Sequence, residues 1–269
     1  MAKPKSKHQK QPQPKSNFWP ASGVMAIAHR GGDAAGADKE NTLKAFKAAW
    51  DIGYRYGETD VVLTADGQVI AVHGSKNRLD SLLKKHRPPR PLLQKMTLDQ
   101  IHREISVGGE QIPLLEEVLK VQPNMKFFID AKTDEVVEPL AQLLKKLKVL
   151  DRVCIDTFNY QRLQRLLDLL EPNRPASCLI TGRNAKLINK NLQMLKSGRL
   201  ERVDGIHLHH SLVSQEMIDL LHSQGLKALI WTCNSPLSIK NAINCGADGI
   251  ISDNIRLLKQ VMDSHNSDG

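Results

Sequence analysis

Short apolar runs recur along the chain, and each is followed by a stretch in which apolar residues return at helical spacing. The runs are VMAIAH (24–29), ETDVVL (58–63), KFFIDA (126–131), RVCID (152–156), ASCLI (176–180), DGIHLH (204–209), KALIWT (227–232) and DGIIS (248–252), eight in all. Helical spacing fills 42–52, 135–147, 160–170 and 214–224 among the stretches between them. Asn41, Thr42, Asp134 and Ser214 offer side chains to start these helices, and Gly53 and Gly225 offer stops. Strands apolar on both faces, alternating with helices, predict a parallel sheet covered by helices. Eight such units close naturally into an α/β fold of the TIM (β/α)8 type, with an open doubly wound sheet as the alternative.

The spacing breaks once, where residues 64–125 separate the second run from the third. This inserted segment between strands 2 and 3 holds the short run VIAV (69–72) ending in His73, a basic stretch over 84–90, a helical pattern over 98–105 and IPLLEEVL (112–119). A loop that follows a barrel strand lies on the catalytic face, so the insert is expected to roof the active site.

Composition refines this picture without changing it. The 269 residues suit one barrel, expected over 21–264. Charged residues at 25% and the lack of a long apolar stretch predict no transmembrane segment. Of the net charge of +9, five positive charges are Lys3, Lys5, Lys7, Lys10 and Lys15. Residues 1–20 therefore read as a basic, disordered tail, and no specific nucleic-acid site is expected. The sequence after the basic start, QPQPKSNFWP, has no apolar core of a secretory signal. Cys154, Cys178, Cys233 and Cys245 lie far apart in apolar runs and read as small buried side chains. A cytoplasmic location is the expectation from these two features.

The informative positions are polar residues that interrupt the apolar strands near their ends. His29 and Arg30 end the first strand, Glu58 and Asp60 lie in the second, His73 ends the inserted run, and Asp130 with Lys132 ends the third. Glu58 and Asp60 are two apart in a strand and so point the same way. Two inward carboxylates are costly unless compensated, and a hard divalent cation can compensate them with oxygen coordination. An ion network with Arg30 and Lys132 would also do so, and spacing leaves both readings open.

The block HRGGDAAGADKENTLKAF, then GYRYGETDVVLTADGQVIAVH, IPLLEEVL, FFIDAK, IWTCN and GADGIISD, resembles the glycerophosphodiester phosphodiesterase family over 24–253. The resemblance implies a TIM barrel that hydrolyses a small-molecule glycerophosphodiester to glycerol 3-phosphate and an alcohol with Ca²⁺ or Mg²⁺. It implies metal binding by Glu58, Asp60 and Asp130, and acid and base roles for His29 and His73, with their order open. Arg30 and Lys132 would hold phosphate oxygens, and Glu40 would add to the site from the loop above the first strand. Trp231 and Asn234 match the family's seventh-strand element, where the ring lines the glycerol side. These residue types suit the chemistry: cations neutralise charge growing on phosphate oxygens, and an imidazole titrating near about pH 6.5 can take or give a proton.

Two features depart from the family pattern. Asp130 is one methylene shorter than the usual glutamate, and the segment after His73 reads Gly74-Ser75-Lys76-Asn77-Arg78 where the family often has aspartate. With Lys84, Lys85, His86, Arg87 and Arg90, this segment reads as a solvated basic face or as an entrance suited to a more anionic headgroup. His207, His209 and His210 read as polar groups facing the barrel lumen, ahead of the alternative that His207 and His209, two apart, ligate a transition metal together. The rival activities are a phospholipase-D-like hydrolysis of lysophospholipids and a catalytically weak phosphate-binding barrel. Sequence leaves the oligomeric state open.

Overall fold

The computed structural model describes residues 17–75, 88–182, 193–194, 197 and 200–267. The tail calls on residues 1–16, and the basic residues Lys76, Arg78, Lys84, Lys85, His86 and Arg87, lie outside them. All eight apolar runs form strands: β1 (Met25–His29), β2 (Tyr56–Leu63), β4 (Lys126–Ala131), β5 (Val153–Thr157), β6 (Ala176–Ile180), β7 (Gly205–His209), β8 (Lys227–Trp231) and β9 (Gly249–Ser252). They pair in parallel in the order β1-β9-β8-β7-β6-β5-β4-β2, and β1 pairs with β2 to close the barrel. The inserted run forms β3 (Val69–Ala71), antiparallel to β2.

Helices cover the barrel because their apolar stripes recur at three and four residues. Helix α1 (Leu43–Asp51) starts where Thr42 accepts a hydrogen bond from the Ala45 amide, and it buries Ala45, Phe46 and Ala49. In the insert, α2 (Arg90–Leu93), α3 (Leu98–Glu104) and α4 (Leu115–Val121) follow β3. Next come α5 (Val137–Leu147) and α6 (Tyr160–Leu170), with stripes Val137-Leu140-Ala141-Leu144 and Leu163-Leu166-Leu167-Leu170. Helices α7 (Gln215–Ser223), α8 (Pro236–Asn244) and α9 (Ile255–Ser267) complete the described shell.

One start signal is overruled. Asp134 does not cap α5, which begins after Val136 without a side-chain cap, because Asp134 instead accepts from Arg162 Nε at 2.7 Å. A guanidinium partner outcompetes a backbone amide for this carboxylate.

The barrel is filled in layers by the inward residues of alternate strands. Met25, Ile27, Phe128, Cys154, Ala176, Cys178, Leu229 and Ile251 form the lower interior, closed from beneath by Phe18. Phe18 is fully buried, its ring meets Phe128 edge-on at 4.9 Å, and its carbonyl accepts from Tyr56 Oη at 3.0 Å and Lys126 Nζ at 2.8 Å. Residues 17–20 are thus part of the packed domain, which corrects the expected tail boundary at residue 20. The signal was present in the aromatic pair Phe18-Trp19, but a two-residue apolar patch has no periodicity to mark it.

The insert carries a small core of its own: Val62, Ile70, Val72, Leu93, Met96, Ile101, Val107 and Ile112. That core holds the β2–β3 hairpin and helices α2 and α3 as a unit at the upper rim. The plug and the hairpin make separable contributions. Phe18→Ala should lower unfolding stability by about 3 kcal/mol, the range for a fully buried ring. Urea denaturation checks this through a reduced midpoint at an unchanged slope.

Candidate active site

The site is built around a tight turn at the upper end of β1. Arg30, Gly31 and Gly32 all take positive φ, at 54°, 86° and 70°. A Cβ on Gly31 would lie 2.7 Å from the Ala45 Cβ, and one on Gly32 would lie 2.4 Å from Ile255 Cγ2. Only glycine lets this turn pass so close to α1 and α9. The turn swings Arg30 back over the barrel mouth, where its amide donates to Glu58 Oε2 at 3.2 Å.

The Glu-Asn-Thr element then does three separate things. Glu40 accepts from Arg30 Nη1 at 3.0 Å. Asn41, itself at φ 61°, donates to Asp60 Oδ2 at 3.2 Å and accepts from Thr59 Oγ1 at 2.8 Å. Thr42 caps α1. One tripeptide thus ties the first loop to the acidic strand and to the first helix.

Glu58, Asp60 and Asp130 are all buried, and Asp60 is in register with Asp130 across the β2–β4 pair. Asp60 lies between two cations, 2.9 Å from Arg30 Nε and 2.5 Å from Lys132 Nζ. Burial alone would raise its carboxyl, yet Lys132 and Arg30 outweigh that and hold it well below the usual carboxylate range. Glu58 has no such clamp: burial, with Asp60 alongside, pushes it well above that range. Asp130 pairs with Lys132 through one oxygen only, its Oδ1 has no hydrogen-bond partner, and burial raises its carboxyl too. The ion network therefore balances the charge of Asp60, though its Oδ1 also lacks a hydrogen bond, and leaves Glu58 and Asp130 under-compensated.

The histidines approach from two sides. His29 Nδ1 is hydrogen-bonded to Asp253 Oδ1, and its Nε2 lies 3.7 Å from Glu58 Oε2. Burial works against the Asp253 charge, but His29 and the Asn234 amide hold that carboxyl well below its ordinary value. Asn234 Nδ2 donates to Asp253 Oδ2 at 2.7 Å, and Asn234 Oδ1 accepts from the Asp253 amide at 2.9 Å. His73 follows the inserted strand, where the Val72 amide donates to the Asp60 carbonyl at 2.9 Å.

These groups meet in a cavity of about 480 Å³ lined by His29, Arg30, Glu58, Asp60, His73, Asp130, Lys132 and Trp231 among the residues expected from sequence. Arg90 and Arg162 add positive charge, and Phe158, Ile180 and Ile251 join Trp231 as apolar wall. Glu40 and Asn234 do not line it; they hold Arg30 and Asp253. His207 lines the floor and His209 is buried against Trp231 at 5.5 Å between ring centroids, whereas His210 is not among the lining residues. Sequence reasoning passed over Asp253 and Asp156, although both end an apolar run in the same way as Asp130.

The family model described as "Glycerophosphoryl diester phosphodiesterase family" matches residues 29–257. The chain belongs to that family. It is therefore a phosphodiesterase of the phosphoric diester hydrolase class. Its sequence is 29% identical over 259 residues to the "Probable glycerophosphodiester phosphodiesterase 2" of Mycobacterium tuberculosis, covering 93% of this chain and 94% of that one. A lysophospholipase D of Rattus norvegicus is 25% identical, with 88% and 86% covered. Among solved structures, an Oleispira antarctica phosphodiesterase in complex with the product sn-glycerol-3-phosphate superimposes with a TM-score of 0.72 at 22% identity, covering 92% of this chain and 98% of that one.

The donor set of this phosphodiesterase fits a hard divalent cation. Glu58 and Asp130 supply buried carboxylates short of positive charge, including the partnerless Asp130 Oδ1, and oxygen is the donor that Mg²⁺ and Ca²⁺ take.

Asn41 carries a structural load that can be separated from chemistry. Asn41→Gly keeps the backbone conformation but strands Thr59 Oγ1 and one Asp60 bond, which should cost about 1–3 kcal/mol. Asn41→Ala should cost about 1 kcal/mol more, from the left-handed backbone. Chemical denaturation of the two variants checks the order.

Proposed function

We propose that this phosphodiesterase hydrolyses glycerophosphodiesters to glycerol 3-phosphate and an alcohol, by acid and base catalysis between His29 and His73. The observation that carries this reading is the convergence of both imidazoles, Arg30, Lys132 and three buried carboxylates on one cavity. The Oleispira antarctica complex with sn-glycerol-3-phosphate supports the choice of product.

In this reading, the phosphate seats against Arg30 and Lys132, whose guanidinium and ammonium draw charge from its oxygens. Asp60 keeps both cations in place and protonated; burial works against the charge of each, but the surrounding carboxylates hold it on. Asp253, anchored by Asn234, accepts the His29 Nδ1–H and so leaves Nε2 to exchange a proton at the reacting centre. His73, from the inserted hairpin, serves the opposite side. One imidazole takes the proton of the attacking hydroxyl, and the other protonates the leaving alkoxide. A divalent cation, Ca²⁺ or Mg²⁺, held by Glu58, Asp60 and Asp130, would supply Lewis-acid neutralisation of the phosphoryl oxygens. Trp231 and Phe158, edge to face at 5.9 Å, offer an apolar wall to the carbon skeleton of the glycerol.

A lysophospholipid substrate needs a broad apolar mouth for its acyl chain. The large exposed apolar side chains among the described residues, Leu92, Leu169 and Leu237, lie on three different helices and do not form one. The smaller headgroup diesters are therefore the favoured class.

Glycerol 3-phosphate release should be measured from glycerophosphocholine, glycerophosphoethanolamine and anionic glycerophosphodiesters, and lysophosphatidic acid release from lysophospholipids. Activity should vanish in EDTA and return with Ca²⁺ or Mg²⁺. His29→Ala and His73→Ala should each lose about 10²–10⁴-fold in kcat. Full activity in either variant refutes the acid and base assignment, and exclusive turnover of lysophospholipids refutes the substrate class.

A further inference from the structure

Beneath the charged wall lies a second constellation that the proposed reaction does not use. Cys154 and Asp156 sit two apart on β5 and face the lumen together, Cys178 faces them from the neighbouring strand β6, and His207 reaches in from β7. The Cys154 and Cys178 sulfurs are 3.6 Å apart, and Cys154 Sγ is 3.4 Å from Asp156 Oδ1. The donor atoms of the two cysteines and Asp156 all lie within 4.8 Å of one another. On the cavity side, His207 Nε2 stands 3.4 Å from Asp156 Oδ2.

One of these contacts is not a hydrogen bond. Asp156 Oδ2 and His207 Nε2 are both buried, and neither has a hydrogen-bond partner although they face each other. Orphaned atoms in a barrel interior are costly, and here they border three donors, Cys154, Cys178 and Asp156, with His207 just outside that group. Two sulfurs 3.6 Å apart suit an ion about 2.3 Å from each at close to the tetrahedral angle. Thiolate, carboxylate and imidazole donors together select a borderline-soft cation and discriminate against Mg²⁺ and Ca²⁺.

We propose that Cys154, Cys178 and Asp156, joined by His207 turning in beside Asp156 as the fourth ligand, form a binding site for a tetrahedral transition-metal ion of the Zn²⁺ class, separate from the hard-cation site of Glu58, Asp60 and Asp130. Asp156 and His207 line the catalytic cavity, so the ion enters through it. Without the ion, burial pushes the two thiols and the Asp156 carboxyl upward, favouring their protonated forms, and pushes the His207 imidazole down, favouring its neutral form. Binding forms two metal–sulfur bonds, one metal–oxygen bond and one metal–nitrogen bond. The two thiol protons and the carboxyl proton leave to solvent through the cavity. The resulting single negative charge lies in the field of Lys132, which already acts on Asp156.

Cobalt serves as the probe, because Co²⁺ bound to thiolate absorbs intensely in the near ultraviolet and tetrahedral Co²⁺ absorbs in the visible. The full-length protein, stripped with chelator and titrated with Co²⁺, should develop both absorptions with one ion per chain, and Zn²⁺ should displace them. Cys154→Ser and Cys178→Ser should each weaken Co²⁺ binding by about 100-fold or more, beyond what loss of an outer-shell partner costs. Glu58→Gln should leave the spectrum in place, which separates this site from the hard-cation site. Absence of the thiolate band in the wild-type protein overturns the assignment whether or not the variants fold. So does a band that survives unchanged in both folded cysteine variants.

Discussion

A carboxylate enclosed in a barrel stays charged only if cations close on it, and Asp60 is the point at which this protein meets that demand. Arg30 and Lys132 reach its two oxygens from just beyond the ends of two different strands, and Asn41 donates to the same Oδ2 that Arg30 faces. Buried ion pairs of this kind add little net stability, because desolvation offsets most of the attraction, but they fix geometry sharply. The left-handed turn at Arg30, the glycines that follow it and the Glu40 contact all follow from the need to bring a guanidinium back over the lumen. The same pairs hold both cations at the cavity wall, so the proposed phosphate contacts would need little reorganisation.

The remaining carboxylates show what happens where the clamp is missing. Glu58 and Asp130 are as enclosed as Asp60 yet carry only a fraction of its compensation, and burial pushes both upward. A hard divalent cation bound there would relieve that imbalance. Deeper in the lumen Asp156 lies beyond the reach of a direct cation pair among the described residues, and its company changes from arginine and lysine to thiols and imidazole. The upper interior thus grades from hard, oxygen-rich surroundings to soft ones across neighbouring strands.

The lining of the cavity also depends on a segment outside the eight-fold repeat. The β2–β3 hairpin brings His73, and the start of α2 brings Arg90, both to a cavity that the barrel strands alone would leave open on that side. The segment can do so because it has its own apolar core and is pinned to the wall by the pairing of β3 with β2.

The eight strands, most helix positions and the inward phase of Glu58 and Asp60 were legible in the sequence, because alternation and helical spacing are local and each run states its own period. The motif resemblance likewise carried eight of ten expected residues to the cavity wall. What the sequence could not show is which distant side chains meet. Asp253 completes His29 from 224 positions away, Asn234 serves Asp253 and not the cavity, and Asp134 leaves its helix for Arg162. Phe18 becomes the floor of the barrel, and two cysteines 24 residues apart become neighbours at 3.6 Å. Periodicity determines which face of a strand a residue occupies; only closure of the barrel, which joins β1 to β2 and β9, decides what stands opposite it.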